Sequence, residues 1–173
     1  MPSQTKQQTN MKSTIVIYGS STGTCQAIAE KIASKLGTKA IDVSNATSDD
    51  LSAYENLIVG TSTWGAGELQ DDWYDKIDLL KDSAGGKTVA VFGCGDSESY
   101  GDTFCSAMRA LYDAAKAGGA STIGEVSVDG YTFDDSEAVV DGKFIGLPLD
   151  DINESDKTEA RIDSWTAQLT PAL

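Results

Sequence analysis

The chain contains no histidine. That removes the commonest general base, the Ser-His and Cys-His nucleophile systems, and the His-containing zinc sites. Its three cysteines, Cys25, Cys94 and Cys105, show neither Cys-x-x-Cys spacing nor an even count, so structural disulfides and iron–sulfur ligation are not expected. None opens a Cys-x5-Arg phosphatase loop, because the sixth residues onward are Lys31, Tyr100 and Leu111. No apolar run approaches the ~20 residues that span a bilayer. Residues 1–10 lack the apolar stretch of a secretory signal, so a cytoplasmic protein is expected, the plastid stroma being the other compartment, with residues 1–12 as a flexible tail. Positive charge is scarce: 13 Lys and Arg stand against 27 Asp and Glu, a net charge of −14. Residues 1–40 carry five lysines and one glutamate, which leaves −18 for residues 41–173. Acids crowd 68–82 (Glu68, Asp71, Asp72, Asp75, Asp78, Asp82) and 129–156. Nucleic acid and anionic membranes are thereby excluded as partners. Solubility explains such a surface, and so does steering toward a basic protein.

Against these absences stands a repeated alternation. Apolar, β-rich runs recur at 14–18, 39–43, 56–61, 87–93 and 120–126. Helical stripes lie between most of them: Ile28, Ile32 and Leu36, ended by Gly37; Trp73, Ile77 and Leu80; and Phe104, Met108, Leu111 and Ala115, stopped by Gly118-Gly119. Near the C-terminus, Ile162, Trp165 and Leu169 follow a cap at Asp156 with Glu159 three residues on. Doubly buried strands alternating with helices predict a doubly wound parallel sheet, with ligands at the strands' carboxyl ends near the switch point. The length of 173 residues suits a single domain, 13–173. The acidic, turn-rich stretch 127–147 reads as an insertion between the fifth strand and the last helix.

Three loops of unusual composition follow strand ends. Ser20-Ser21-Thr22-Gly23-Thr24-Cys25 opens a helix. Hydroxyls, a glycine and helix N-terminal amides together make an anion site suited to a phosphomonoester. No Lys or Arg lies between Gly19 and Glu30, and both Gly-Lys-Ser/Thr and Gly-x-Gly-x-x-Gly are missing. The second loop, Thr61-Ser62-Thr63-Trp64-Gly65-Ala66-Gly67-Glu68, offers a tryptophan for a flat ligand, although packing is an equal reading of Trp64 alone. The third, residues 93–102, carries Tyr100 at a comparable offset from its strand. Two aromatics from neighbouring strand ends can sandwich one ring system while the first loop holds its phosphate. Together the loops describe a flavin mononucleotide (FMN) site.

The chain resembles the flavodoxins over nearly everything after residue 12. The motifs stand in order: Ser-x-Thr-Gly-x from Ser20, Gly-x-x-Thr-Trp-x-x-Gly-Glu-Leu from Gly60, Gly-Asp-x-x-x-Tyr from Gly95, and Asp-Gly-Lys-Phe-x-Gly-Leu-x-Leu-Asp from Asp141. The resemblance implies an α/β fold with a five-stranded parallel sheet of order 2-1-3-4-5 and helices on both faces. Flavodoxin is itself a standard example of that order, with FMN at the switch point. A long-chain insertion would fall in the fifth-strand region. The resemblance further implies that Ser20, Ser21, Thr22, Gly23, Thr24 and Cys25 wrap the phosphate, and that Ser62 and Thr63 add to the site. Trp64 and Tyr100 would flank the isoalloxazine, and Cys94, Gly95 and Asp96 would offer backbone contacts to its polar edge, with Asp102 nearby. Gly65, free to take positive φ, would let the Gly65–Ala66 peptide turn its carbonyl toward the reduced ring. Cys25 stands where threonine is usual, Ser62 where proline is common, and Ser99 where glycine often precedes the tyrosine.

The implied function is low-potential one-electron transfer on non-covalent FMN, through the semiquinone/hydroquinone couple, by a monomeric carrier rather than an enzyme. Partners known for the family are ferredoxin-type NADP reductases, photosystem I, pyruvate oxidoreductases and nitrogenase. The nearest rival is an NAD(P)H:quinone reductase of the same fold, which needs open space over the ring. A response-regulator receiver needs carboxylates after strands one and three, where this chain has Gly19-Ser20 and Gly60-Thr61.

Overall fold

A computed structural model describes residues 13–20, 23–64 and 67–173, Trp64 through its backbone only. The chain begins with β1 (Thr14–Gly19), α1 (Thr24–Leu36) and β2 (Ala40–Asp42). A short α2 (Ser48–Ser52) follows, which the sequence reading missed. It is held by a capping box in which Thr47 accepts from the Asp50 amide and Asp50 from the Thr47 amide. Next come β3 (Asn56–Trp64), β4 (Glu68–Leu69), α3 (Asp71–Ser83) and β5 (Thr88–Cys94). The rest of the chain supplies α4 (Met108–Ala117), β6 (Ser121–Ile123), β7 (Val126–Ser127), β8 (Val139–Val140), β9 (Lys143–Phe144), β10 (Leu147–Leu149) and α5 (Ser155–Leu169).

The main sheet runs β2-β1-β3-β5 in parallel, with β4 antiparallel against the end of β3. Successive side chains of its strands enter opposite layers. Ile15, Ile17, Leu57, Val59, Val89 and Val91 pack with Trp73, Leu80, Met108 and Leu111. Val16, Tyr18, Ile58, Ala90 and Phe92 pack with Ile28, Ile32, Ile162, Trp165 and Leu169. Both faces are therefore covered, as a parallel sheet requires. The Phe92 ring of β5 lies over Gly60 of β3, since a Cβ there would be 2.1 Å from Cζ of Phe92.

The fifth position of the sheet corrects the placing of the insertion. It is shared by two segments: β6 pairs with Thr88–Ala90 and β10 with Phe92–Cys94. The intervening chain folds as a separate antiparallel sheet, β7-β9-β8. The insertion thus interrupts the fifth strand instead of following it. Leu147-Pro148-Leu149 is too short to show alternation, and its proline argues against a strand; a sheet edge tolerates the missing N–H.

Two helix starts also differ from expectation. Phe104 is buried, but it precedes α4 in a run of turns, and only Met108, Leu111 and Ala115 of its stripe are helical. The helix α5 begins at Ser155, with Asp156 inside the first turn and no side-chain cap. The chain is already turning there, because the Glu154 amide donates to the Asp150 carbonyl at 2.9 Å.

Candidate functional site

The carboxyl ends of β1, β3 and β5 open on a cleft of about 190 Å³. Its lining comes from four segments: Thr24; Ser62 and Thr63; Cys94, Gly95, Asp96 and Tyr100; and Asp151 and Ile152. A larger cavity, about 520 Å³, lies between the insertion and α5, lined by Val126, Tyr131, Arg161 and Trp165 among others. It belongs to none of the strand-end loops, and its arginine is already held by Glu154 and the Gly130 carbonyl. The smaller cleft is the site.

The loop before α1 is shaped by Gly23, whose φ of 92° ends it in the left-handed region. The Ser20 hydroxyl accepts from the Gly23 amide at 3.1 Å and keeps its own proton to donate. The first intrahelical bond runs from Ala27 to Gly23. The amides of Thr24, Cys25 and Gln26 have no intrahelical acceptor, no side chain caps them among the described residues, and the first turn holds no acid. That donor set, with no Lys or Arg lining the cleft among the described residues, fits a phosphomonoester. Ser21 and Thr22 lie outside the described residues. The Cys25 side chain does not reach the cleft: it is 1% exposed and packs in the core. Contact with the Cys94 thiol, then burial, pushes the Cys25 thiol well up, so it stays protonated.

At the second loop, Thr61 accepts from the Gln70 amide and donates to the Ser62 carbonyl, fixing the passage from β4 into α3. Ser62 stands in register with Cys94, which brings the two loops together. The Thr63 hydroxyl accepts from the Ala107 amide at 3.2 Å and retains a proton for a ligand. Trp64 ends β3 opposite Glu68. Its side chain, like Gly65 and Ala66, falls outside the described residues.

At the third loop, the Gly95 amide donates to the Leu149 carbonyl, and the Tyr100 amide to that of Asp96. The Asp96 carboxylate accepts from the amides of Glu98 and Ser99. The Ser99 amide is the main cause of its lowered pKa. Tyr100 is 49% exposed, a large ring left open on the cleft wall. Asp102 is exposed and does not line the cleft.

Sequence reading missed the fourth segment, the turn after β10. Ile152 is 69% exposed beside the cleft. The signal was present as one aliphatic residue in the polar run Asp150-Asp151-Ile152-Asn153. Among the described residues no acidic or cysteine cluster could hold a metal, and no helix is long and apolar enough to cross a membrane.

A ligand cleft at the reversal of this strand order, with a helix start at one end and an aromatic wall at the other, defines a mononucleotide-binding protein of doubly wound α/β fold. The flavodoxin family model matches residues 16–165. Flavodoxin 1 of Azotobacter vinelandii is 47% identical over 162 residues, covering 89% of this chain and 93% of that protein. The flavodoxin of Synechococcus elongatus is 42% identical over 161 residues, with 89% and 94% covered. In structure, Fusobacterium nucleatum flavodoxin bound to FMN superposes with a TM-score of 0.87 at 31% identity, over 94% of this chain and 99% of that one. The chain belongs to the flavodoxin family.

Proposed function

We propose that residues 13–173 form one FMN-binding domain that carries single electrons at low potential between redox proteins, and that it is a carrier rather than a catalyst. The observation that carries this reading is the donor set of the cleft among the described residues: hydroxyls and helix amides without intrahelical acceptors at one end, a tyrosine ring and two carboxylates at the other, and no cation. Ser20, Thr24 and Thr63, together with Ser21 and Thr22, hold the phosphate, Gly23 shapes the loop, and the Thr24 and Cys25 amides complete the cradle. Ser62 bridges the first two loops. Tyr100 and Trp64 flank the ring, with Gly65 and Ala66 beside it, and Cys94, Gly95 and Asp96 meet its polar edge. Bound FMN supplies the one-electron chemistry. The protein excludes water from the ring and sets the charge around it. Asp96 and Asp151 disfavour added negative charge, which lowers the potential.

The same carboxylates, with the acids of α3, suit docking to a basic surface. Partners of that kind include ferredoxin-type NADP reductases, photosystem I, pyruvate oxidoreductases and nitrogenase, met by a monomer in the cytoplasm. The test is reconstitution of the FMN-free protein with FMN and with riboflavin, followed by flavin fluorescence. FMN should bind at least 100-fold more tightly. Equal affinities would remove the phosphate from the α1 loop. NADPH oxidation with a quinone acceptor should be absent, and turnover would establish a reductase instead.

A further inference from the structure

Asp150 directly follows β10 and is completely buried. Among the described residues its carboxylate forms no ion pair. A buried charge without a counter-ion persists only when hydrogen bonds satisfy it. Here five donors do so. Oδ1 accepts from the amides of Ile152 at 3.1 Å and Asn153 at 2.9 Å. Oδ2 accepts from the Ser97 amide at 3.0 Å, the Ser97 hydroxyl, and the Asn153 side-chain amide at 2.9 Å. The first pair is local and could serve only to shape the approach to α5. The bonds to Ser97 cross 53 positions of sequence and reach the third loop of the cleft. Asn153 extends the link, since its side-chain amide also donates to Asp96 at 2.8 Å. Asp96 in turn holds the amides of Glu98 and Ser99.

We propose that Asp150 is a positioning residue that clamps the Gly95–Tyr100 loop to the β10–α5 turn, holding both walls of the cleft in cofactor-binding form. The inference rests on the FMN reading of the cleft. Asp150 lines no part of the cleft itself. Its effect passes through Ser97 to Tyr100 and through Asn153 to Asp96. An amide in its place would turn an NH2 toward at least two of the five donors, so two or more bonds would become clashes of like groups.

The test compares Asp150→Asn and Ser97→Ala with Asp129→Asn, an equal charge change on the insertion. Backbone amide hydrogen exchange is read on the full chain with and without FMN, together with the FMN dissociation constant and the visible circular dichroism of the bound flavin. Ser97→Ala removes the hydroxyl bond across the clamp and leaves the Ser97 amide bond and the local bonds to Ile152 and Asn153 in place, so it tests the clamp apart from the turn and serves if Asp150→Asn does not fold. Both cleft variants should speed exchange at residues 97–100 at least tenfold without FMN, weaken FMN about tenfold and alter the dichroism; Asp129→Asn should do none of these. Wild-type exchange and FMN affinity in Ser97→Ala would overturn the clamp while leaving the FMN reading intact. Failure of the wild-type chain to bind FMN would overturn that reading, and exchange in the FMN-free protein would still decide the clamp.

Discussion

The Arg161 guanidinium lies 3.9 Å from the centre of the Tyr131 ring. The same arginine pairs with Glu154 at 2.8 Å, both side chains being largely buried, and donates to the Gly130 carbonyl. The Tyr131 hydroxyl donates to the Pro148 carbonyl in β10, and burial pushes its pKa up. One side chain of α5 therefore ties the insertion to the core at its first turn. Arg161→Ala should destabilise the protein by about 2–4 kcal/mol, from a largely buried glutamate left with only the longer pair to Lys157 and a lost cation–π contact. Chemical denaturation measures it, and a loss within ~0.5 kcal/mol would show that the insertion holds itself.

Gly23 and Gly60 are both needed, for different reasons, and alanine should separate them. At Gly23 no atom of the described residues lies within 4 Å of an added Cβ, so the cost comes from the φ of 92°. That predicts a loss of about 1–2 kcal/mol together with weaker FMN binding, because the loop amides are re-aimed. At Gly60 the added carbon meets the Phe92 ring. There the loss should be at least as large, in stability first, from overpacking. Unfolding curves paired with FMN titrations distinguish the two patterns.

Acid should loosen the cleft before the sheet. The Ser99 amide chiefly lowers Asp96. Burial pushes Asp150 upward, but the hydrogen bonds from Ser97 and Asn153 outweigh it and leave the pKa lowered. A depressed folded pKa contributes stability that is fully present above the unfolded value, ~3.9, and is lost as pH falls through the folded value. Stability from these two groups should hold from neutral pH to about 5 and fall below about 4. Asp150→Asn should have a shallower acid limb; an unchanged limb would mean that Asp150 does not titrate on unfolding.

Surface charge should act on both potential and docking. A carboxylate ~12 Å from the ring opposes an added electron by about 0.3 kcal/mol in a water-like dielectric, before salt screening. That is on the order of 15 mV for one electron. Asp151→Asn should therefore raise the lower potential by about 10–30 mV at low salt. Rates of electron transfer to a basic reductase should fall steeply with ionic strength. Flat kinetics from low to high salt would rule out steering.

Much of this was legible because it rests on local chemistry. Doubly buried strands announced the parallel sheet, and Ile28, Ile32 and Leu36 with Gly37 gave α1 to its last residue. The loops at Ser20, Ser62 and Gly95 were readable because hydroxyls, glycines and aromatics gathered after apolar runs. What escaped depends on distant pairing. Leu147-Pro148-Leu149 becomes a strand only beside Phe92–Cys94. Cys25 looked like a loop residue until the helix turned its side chain into the core. Ile152 reaches the cleft and Asp150 the Ser97 amide only because the insertion returns the chain to the sheet edge.

The most direct measurement is a potentiometric titration of the FMN-loaded protein followed by visible absorbance. Two well-separated one-electron steps are expected, the second at low potential, as a carrier of single electrons requires. A single two-electron bleach would contradict the carrier reading and turn the same cleft into that of a reductase.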